Sequence, residues 1–336
     1  MSRYDVYAIG NALVDYEFEV SVAELSRLGI SKGVMTLIEE SRHDQLVGEL
    51  QGEKHKRACG GSAANTLIGL QQLGGKSFFS CKVADDEPGD FYVQDLKANG
   101  VETNLASKPR DSGKTGKCLV MITPDADRTM NTFLGITGDV GPTELNTDAL
   151  LDSGYLYIEG YLASSPSARE AVALARKEAR RRDIPIALSL SDPNMVKYFA
   201  DGIRAFVADG VDLLFCNEAE AIAYTGAKDV FAAAQLLRDS AVAFVVTRGG
   251  HGALAFDGDH FIEVPTEPVT VRDTLGAGDM FAGAFLYARS QAWDFRRACL
   301  LANHAAGLVV SEFGPRLADR LLPALREKAK QLAKQK

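Results

Sequence analysis

Short apolar runs and amphipathic segments alternate along most of the 336-residue chain. The continuous apolar runs, which are typical of strands buried on both faces, occupy residues 5–10, 77–83, 156–160, 185–191, 213–217 and 243–249. The amphipathic segments, which predict helices, occupy residues 62–73, 91–99, 167–182, 195–208, 219–225, 230–238, 279–290, 295–311 and 317–336. This alternation predicts an α/β fold with a doubly wound, mainly parallel sheet and helices on both faces.

A second group of strands shows a weaker pattern that is typical of partly exposed sheets. Residues 16–20 alternate apolar with acidic side chains, and residues 33–38, 117–122 and 128–134 resemble them. We expect these strands to form a small sheet from about residues 12–38 and 110–135, with one face open. No linker or fixed-period repeat divides the chain, so a single domain over residues 1–336 is expected.

Composition narrows the classes of partner. The chain has 37 Lys and Arg against 45 Asp and Glu, a formal charge of −8, so no positive field would gather nucleic acid or an anionic membrane. The five cysteines are scattered and form no C-x-x-C pair, which indicates a reducing cytoplasm rather than disulfides or zinc. Because no signal-peptide pattern and no apolar run of about 18 residues is present, we expect a soluble cytoplasmic protein.

Residues 272–285, RDTLGAGDMFAGAF, are the most informative segment. Gly276, Ala277 and Gly278 precede an apolar helix, so their backbone N–H groups should converge where the helix dipole favours an anion. Asp279 follows directly, and a carboxylate beside a bound phosphoryl group is suited to accept the proton of a hydroxyl nucleophile. The alternative is structural, in that the small residues permit tight packing and Asp279 only caps the helix.

The same segment resembles a signature of the ribokinase or pfkB family of small-molecule kinases, D-T-x-G-A-G-D, which residues 273–279 match in full. Further family motifs occur in the same order between about residues 5 and 316. They are a glycine pair before a helical asparagine (Gly60, Gly61 and Asn65), an N-x-x-E motif (Asn217 and Glu220) and a T-x-G-x-x-G nucleotide loop (Thr247, Gly249 and Gly252). The resemblance implies a ribokinase-like fold whose small sheet is a lid that keeps water from the site.

The resemblance also implies an ATP-dependent kinase that uses Mg²⁺. Asp279 would be the catalytic base, and Glu220 would reach Mg²⁺ through water. Family members often use a monovalent cation such as K⁺ near the glycine-rich loop, where Asp273 and Leu275 occupy the matching segment.

Residues for the acceptor side are found near the start of the chain. Asn11 and Asp15 lie where the first buried strand meets the small sheet, and an aspartate can accept hydrogen bonds from two neighbouring hydroxyls. The residues alone favour a strand-end turn, whereas the family resemblance implies that Asp15 contacts substrate hydroxyls. Gly60 and Gly61 would let backbone amides approach a hydroxylated ligand, while Asn65 supplies a donor and an acceptor.

Two further candidates lie elsewhere. Arg128, on the small sheet, either closes over the transferred phosphate or is an exposed hairpin charge. Asn303 lies on a late helix, where the family has its adenine pocket, and is expected on the adenine side.

Two acceptor classes remain open. The G-N-x-x-x-D pattern at residues 10–15 resembles adenosine kinases and favours a nucleoside 5′-hydroxyl, whereas D-P-N at residues 192–194 resembles kinases of ribose, fructose or 2-keto-3-deoxygluconate. Apolar residues of the small sheet could face a purine or only form its core; they are Val14, Met35, Leu37 and Phe133. The nucleoside is the first expectation and the sugar is the alternative. A nucleotide-sensing protein without turnover is a remote third, and a monomer or homodimer is expected.

Two other motifs are set aside. Residues 249–255, GGHGALA, weakly resemble a dinucleotide fingerprint, but strands follow where a helix would have to receive the pyrophosphate, so a dehydrogenase is not indicated. The acidic stretch at residues 84–90 lacks calcium-loop spacing and contains a proline, so it predicts the start of a helix.

Overall fold

The computed structural model describes residues 2–50, 55–106, 109–125, 127–208 and 210–334. The strands are β1 (Val6–Ile9), β2 (Leu13–Glu19), β3 (Met35–Leu37), β4 (His55–Gly60), β5 (Ser77–Ser80), β6 (Glu102–Thr103), β7 (Gly116–Ile122), β8 (Arg128–Phe133), β9 (Leu156–Glu159), β10 (Ile186–Ser189), β11 (Val211–Asn217), β12 (Ala241–Thr247), β13 (Ala253–Phe256) and β14 (Phe261–Val264). The α-helices are α1 (Val22–Arg27), α2 (Glu40–Glu49), α3 (Ser62–Gln72), α4 (Glu87–Ala98), α5 (Thr147–Leu151), α6 (Pro166–Arg180), α7 (Pro193–Tyr198), α8 (Ala200–Val207), α9 (Glu218–Thr225), α10 (Val230–Leu237), α11 (Ala277–Ser290), α12 (Phe295–Val310) and α13 (Leu322–Ala333).

Nine of these strands form the larger sheet, in the order β14-β13-β12-β11-β10-β9-β1-β5-β6. The pairs from β12 through β6 are parallel, and only β13 and β14 run antiparallel to their neighbours. Helices cover both faces of this sheet, so the expected doubly wound, mainly parallel architecture is confirmed.

The side chains of β1 show how the two cores are divided. Val6 and Ala8 point into a core shared with α3, α4, α11, α12 and α13, while Tyr7 and Ile9 point into a core shared with the helices from α5 to α10. Alternate residues of a strand face opposite sides of its sheet, so a strand that is buried on both sides is apolar throughout. No helix in the described parts of the chain is long and apolar enough to cross a membrane.

The five-stranded small sheet has the order β3-β8-β7-β2-β4. Four of its strands come from the two expected segments, residues 12–38 and 110–135, in which Ala126 lies outside the described residues. The fifth strand is β4, which the sequence pattern did not assign to this sheet. β4 pairs antiparallel with β2, so that Gly60, the last residue of this edge strand, lies opposite Leu13, and Gly61 follows directly.

The small sheet is covered on one face and partly open on the other. Helices α1 and α2 pack on its apolar face, where Phe18, Leu119 and Met121 share a core with Leu25 and Leu46 of these helices. The opposite face, which the acidic positions of residues 16–20 predict to be open, is open only in part, because Leu37 is 40% exposed whereas Glu17 is buried.

Two local predictions are resolved by helix-end geometry. The acidic stretch is the start of a helix, as predicted, because Asp86 caps α4 by accepting a hydrogen bond from the Gly89 N–H at 2.9 Å. The single helix expected over residues 195–208 is instead two helices, α7 and α8, separated at Phe199, whose backbone (φ −121°, ψ 35°) is not helical.

We expect Phe285 to be a main contributor to the core beside α11. Its ring is fully buried and lies edge-on to Phe215 and Phe295, with centroids 5.5 and 5.2 Å away. Phe285→Ala should lower the free energy of unfolding by about 3–5 kcal/mol through loss of burial and a residual cavity. Phe231→Ala, at a side chain that is 49% exposed, should cost less than about 1 kcal/mol. Similar losses in denaturant titrations of the two variants would contradict this assignment.

Candidate active site

A cavity of about 520 Å³ lies between the large sheet and the small sheet. The polar side chains on its floor come from the ends of β1, β9, β10, β11 and β12 or from the residues just after them, because parallel strands present their carboxyl ends at one edge. The predicted site residues that line it are Asn11, Asp15, Gly61, Asn65, Arg128, Asn217, Glu220, Thr247, Gly276, Gly278 and Asp279. Five other predicted residues do not line it: Gly60, Ala277, Gly249, Gly252 and Asn303.

The glycine-rich loop ends in the N-terminus of α11. Gly276 is the residue before the helix and has φ 72°, and a Cβ there would lie 2.1 Å from the Pro315 carbonyl oxygen. Only glycine therefore fits this turn without displacing the chain. Gly276 and Gly278 face the cavity, so the positive end of the helix dipole is directed into it.

Asp279 is the third residue of α11 and does not cap it, so the capping alternative is wrong. Its carboxylate accepts hydrogen bonds from Ser62 Oγ at 2.6 Å and from Asn65 Nδ2 at 3.2 Å. Burial raises the pKa of Asp279 to about 6, while these two hydrogen bonds oppose the rise. The carboxylate is thus a stronger base than that of an ordinary aspartate.

The orientation of Asn65 depends on an arginine that the motifs did not reveal. Arg316 Nε donates to Asn65 Oδ1 at 3.1 Å, Nη1 donates to Asp95 Oδ2 at 2.7 Å, and Nη2 donates to the Cys59 carbonyl. A guanidinium can only donate, so the amide oxygen of Asn65 faces Arg316 and its NH₂ faces Asp279.

Asp15, on β2 of the small sheet, is buried in the wall of the cavity. Its carboxylate occupies the space beside Gly60, where a Cβ would lie 2.0 Å from Asp15 Oδ1, so Gly60 provides room rather than a ligand contact. Burial, and then Glu17, raise the pKa of Asp15 to about 7, although Arg316 and Arg128 lower it.

Glu159 is a second carboxylate that sequence reasoning missed. Its two oxygens accept hydrogen bonds from the backbone N–H groups of Asn11 and Ala63, at 2.7 and 2.8 Å. It thereby joins the end of β1 to the start of α3, and burial raises its pKa to about 7. Glu159 belongs to no sequence motif. Its position at the end of the apolar strand LYI was the only signal that could have marked it as a site residue.

The N-x-x-E motif is a capping box at the start of α9. Asn217 Oδ1 accepts from the Glu220 N–H at 2.8 Å, and Glu220 Oε2 accepts from the Asn217 N–H at 3.0 Å. Asn217 Nδ2 also donates to Glu220 Oε1 at 2.6 Å. Burial raises the pKa of Glu220 to about 7, with Asp192 and Asp279 adding to the rise.

The carboxylates of the cavity could hold Mg²⁺ only together with the phosphate groups of a bound substrate. The described residues contain no group of three or more His, Cys, Asp or Glu that could hold a metal. Mg²⁺ is usually bound through one or two carboxylates, waters and substrate phosphates, and each Glu220 oxygen keeps a lone pair beyond the capping box. Glu220 therefore has lone pairs with which to contact a hydrated Mg²⁺, and this role stays a prediction.

The nucleotide-loop residues are divided between the cavity and its surroundings. Thr247, at the end of β12, lines the cavity, whereas Gly249 and Gly252 flank a short turn beyond it. Asn303 is buried, and its Nδ2 donates to the carbonyls of Val264 and Pro265 at 3.0 and 3.3 Å. Its amide is thus engaged with the backbone, and direct contact with an adenine stays a prediction.

Arg128 is buried, so the exposed-hairpin alternative is wrong. Its guanidinium contacts both carboxylate oxygens of Asp273, which is completely buried in the loop before α11. The side chain therefore joins the small sheet to the glycine-rich loop.

The surface of the small sheet that faces the cavity is aliphatic. It is formed by Leu13, Met35, Leu37, Val120, Met130 and Leu134, together with Cys118 and Thr132. Met35 and Leu37 face the cavity as expected, but Val14 packs in the main core and Phe133 lies beside His43. Val14 follows Leu13 and Phe133 follows Thr132 in the sequence, and Leu13 and Thr132 face the cavity. Because neighbouring residues of a strand point to opposite faces of the sheet, Val14 and Phe133 point away from the cavity.

The burial of Asp15 predicts that ionisation of its carboxylate destabilises the folded protein. Its pKa is raised on folding, so its stabilising contribution is present at low pH and is lost as pH rises through about 7. Asp15→Asn should therefore raise the melting temperature at pH 8 by at least about 2 °C and reduce its fall between pH 6 and 8. The exposed Asp125, whose pKa is lowered to about 2, gives the control Asp125→Asn, which should leave this slope unchanged. Equal slopes in Asp15→Asn and the parent would contradict the prediction.

Comparison with known proteins identifies the family. Residues 29–320 match the model of the pfkB family carbohydrate kinases. A 5-dehydro-2-deoxygluconokinase of Bacillus cereus is 30% identical over 266 residues, 75% of this chain and 80% of that protein.

Two crystal structures match nearly the whole chain. A probable sugar kinase from Rhizobium etli CFN 42 has a TM-score of 0.92 and 32% identity, with 99% of both chains covered. The adenosine kinase from Sinorhizobium meliloti has a TM-score of 0.91 and 33% identity, with 98% of this chain and 99% of that chain covered. The resemblance seen in the sequence motifs is confirmed: the chain belongs to the pfkB family of carbohydrate kinases and is a phosphotransferase.

Proposed function

We propose that the protein transfers the γ-phosphoryl group of ATP to a primary hydroxyl of a sugar, with Asp279 as the base. The observation that carries this proposal is the position of Asp279, whose carboxylate lies at the helix N-terminus that faces the cavity and is held by Ser62 and Asn65. A phosphate bound at this helix N-terminus would repel the Asp279 carboxylate, and that cost is explained if the carboxylate accepts a proton in the reaction.

The proposed reaction is an in-line displacement. The acceptor oxygen forms a bond to the γ-phosphorus while the bond from that phosphorus to the β,γ-bridging oxygen breaks, and ADP leaves. Asp279 accepts the hydroxyl proton, and the backbone N–H groups of Gly276 and Gly278, which face the cavity, stabilise charge on the phosphoryl oxygens. Mg²⁺, when bound with ATP beside Glu220 and Asn217, would offset the polyphosphate charge.

A free sugar, or a sugar-derived keto acid, is the first candidate acceptor. The polar side chains near Asp279, namely Asn11, Asp15 and Asn65, can bind several hydroxyls in one small region. The curated relative from Bacillus cereus carries the name of a sugar kinase, which supports the same class. This reverses the order of preference that residues 10–15 suggested.

A nucleoside is the second candidate, and one specific observation favours it. The aliphatic face of the small sheet offers Leu13, Met35 and Met130 to the cavity, a surface better suited to a flat base than to further hydroxyls. Similarity to the Sinorhizobium meliloti adenosine kinase over nearly its whole length agrees with this.

A coupled assay of ADP release tests the proposal and separates the two acceptors. We expect ATP turnover only when an acceptor is added to the purified protein with Mg²⁺. Ribose, fructose, 2-keto-3-deoxygluconate and 5-dehydro-2-deoxygluconate form one panel, and adenosine, inosine and guanosine form the other. Saturation by a member of the first panel, with the nucleosides inert, would support the first candidate. ATP binding without turnover in either panel would contradict the proposal and favour a nucleotide-sensing protein.

Asp279→Asn should abolish chemistry while the fold is retained. The amide cannot take the proton, so kcat should fall by about 10²- to 10⁴-fold. Melting temperature should hold or rise because a desolvated carboxylate is removed, and ATP affinity should hold or improve because a negative charge beside the polyphosphate is lost. Turnover within a few-fold of the parent would refute the assignment of Asp279 as base.

Ser62→Ala is the matched variant that keeps the base but removes its strongest hydrogen bond. In the parent protein, kcat/KM for the acceptor should fall on the acidic side of about pH 6, where Asp279 of the free enzyme becomes protonated. Loss of the Ser62 hydroxyl removes an interaction that lowers the pKa, so this acidic limb should move to higher pH. An unchanged pH profile would show that another group controls it.

A further inference from the structure

The family resemblance implies a monovalent cation near residues 273–275, and the only carboxylate there is Asp273. A bound cation needs oxygen lone pairs that are free to face it. Asp273 does not offer them. Its Oδ1 accepts from the Leu275 N–H at 3.0 Å, its Oδ2 accepts from the Gly314 N–H at 2.6 Å, and Arg128 Nε and Nη2 contact one oxygen each.

The Asp273 carboxylate is also completely buried and already neutralised. A carboxylate has about four lone-pair sites, and four donors surround this one. The Arg128 guanidinium supplies a full positive charge, through a hydrogen bond from Nε to one carboxylate oxygen and a contact of Nη2 with the other. The residues present therefore do not fit a monovalent cation at this carboxylate.

We infer that the Arg128 guanidinium takes the place of a monovalent cation at the glycine-rich loop, so that this kinase works without K⁺. Arg128 lies on β8 of the small sheet, and Asp273 lies three residues before Gly276. The ion pair thus fixes the loop by a charge that belongs to the protein.

Packing around the ion pair supports a structural role of this kind. Leu275 contacts an apolar cluster of the small sheet that contains Cys118, Val120, Ile122 and Met130. The loop is held on the sheet by apolar contacts at Leu275 and by charge at Asp273. The hydrogen bond from Gly314 adds the segment after α12, whose Pro315 carbonyl abuts Gly276.

The first test compares cations on the unaltered protein. We would remove alkali ions by dialysis into tetramethylammonium chloride and then titrate K⁺ or Na⁺ at constant ionic strength, with melting temperature and ADP release as readouts. The expected result is a change in turnover of less than about 2-fold and no saturable rise in melting temperature. Activation by K⁺ of about 10-fold or more, or a saturable rise in melting temperature specific to K⁺, would overturn the inference. The melting readout needs no acceptor, so failure here is distinguishable from failure of the proposed function.

The second test asks whether removing the guanidinium creates a need for a cation. Arg128→Met leaves Asp273 buried without its countercharge, so the variant should be destabilised, and K⁺ should restore part of its melting temperature in a saturable manner. Arg128→Met combined with Asp273→Asn removes both charges and should not respond to K⁺. A response in the single variant alone supports the inference, while equal responses in both variants, or none in either, would overturn it.

Arg128→Lys keeps the inference testable if the methionine variant does not fold. Lysine retains the charge but not the bidentate contact, so it should fold with reduced stability and remain insensitive to K⁺ in the melting assay. Saturable stabilisation of Arg128→Lys by K⁺ would mean that charge at residue 128 does not exclude a cation, and would overturn the inference.

Discussion

The geometry of the site depends on the close contact between α3 and α11. Gly283 lies in the middle of α11, and a Cβ at that position would lie 2.3 Å from the carbonyl oxygen of Thr66 in α3. The two helices can approach this closely only because the side chain is absent. Their N-terminal ends then lie side by side, which allows Ser62 and Asn65 of one helix to hold Asp279 of the other. A wider spacing would leave the base without its two donors.

The crowding of four carboxylates in one cavity is a second constraint on the site. Asp15, Glu159, Glu220 and Asp279 all line one cavity, and burial raises the pKa of each. In the absence of ligand this arrangement destabilises the folded state near neutral pH. A binding site tolerates such a cost because the same groups gain partners when hydroxyls and cations enter. Asp15 illustrates the trade, since the neutral asparagine should favour folding but cannot bind hydroxyls as a carboxylate does.

Local sequence signals predicted most of the fold and much of the site. The large sheet followed from apolar runs, and the turn at Gly276 followed from small residues before an amphipathic helix. The features that were missed depend on contacts between segments far apart in the chain. Arg316 reaches Asn65 across 251 residues, and Glu159 reaches Asn11 across 148, so neither pairing leaves a spacing to recognise. The edge strand β4 was missed for the same reason, because its partner β2 lies on the other side of two helices in sequence.

The N-x-x-E motif shows that a structural explanation and a functional one need not compete. Asn217 and Glu220 form a capping box, and that alone accounts for their spacing. Yet both residues line the cavity at the end of a central strand, and Glu220 is buried with a raised pKa. The cap fixes the glutamate in one orientation, so the carboxylate needs no further ordering when a charged ligand arrives. Asp273 is the opposite case, because both of its oxygens accept hydrogen bonds from within the protein and the carboxylate is completely buried.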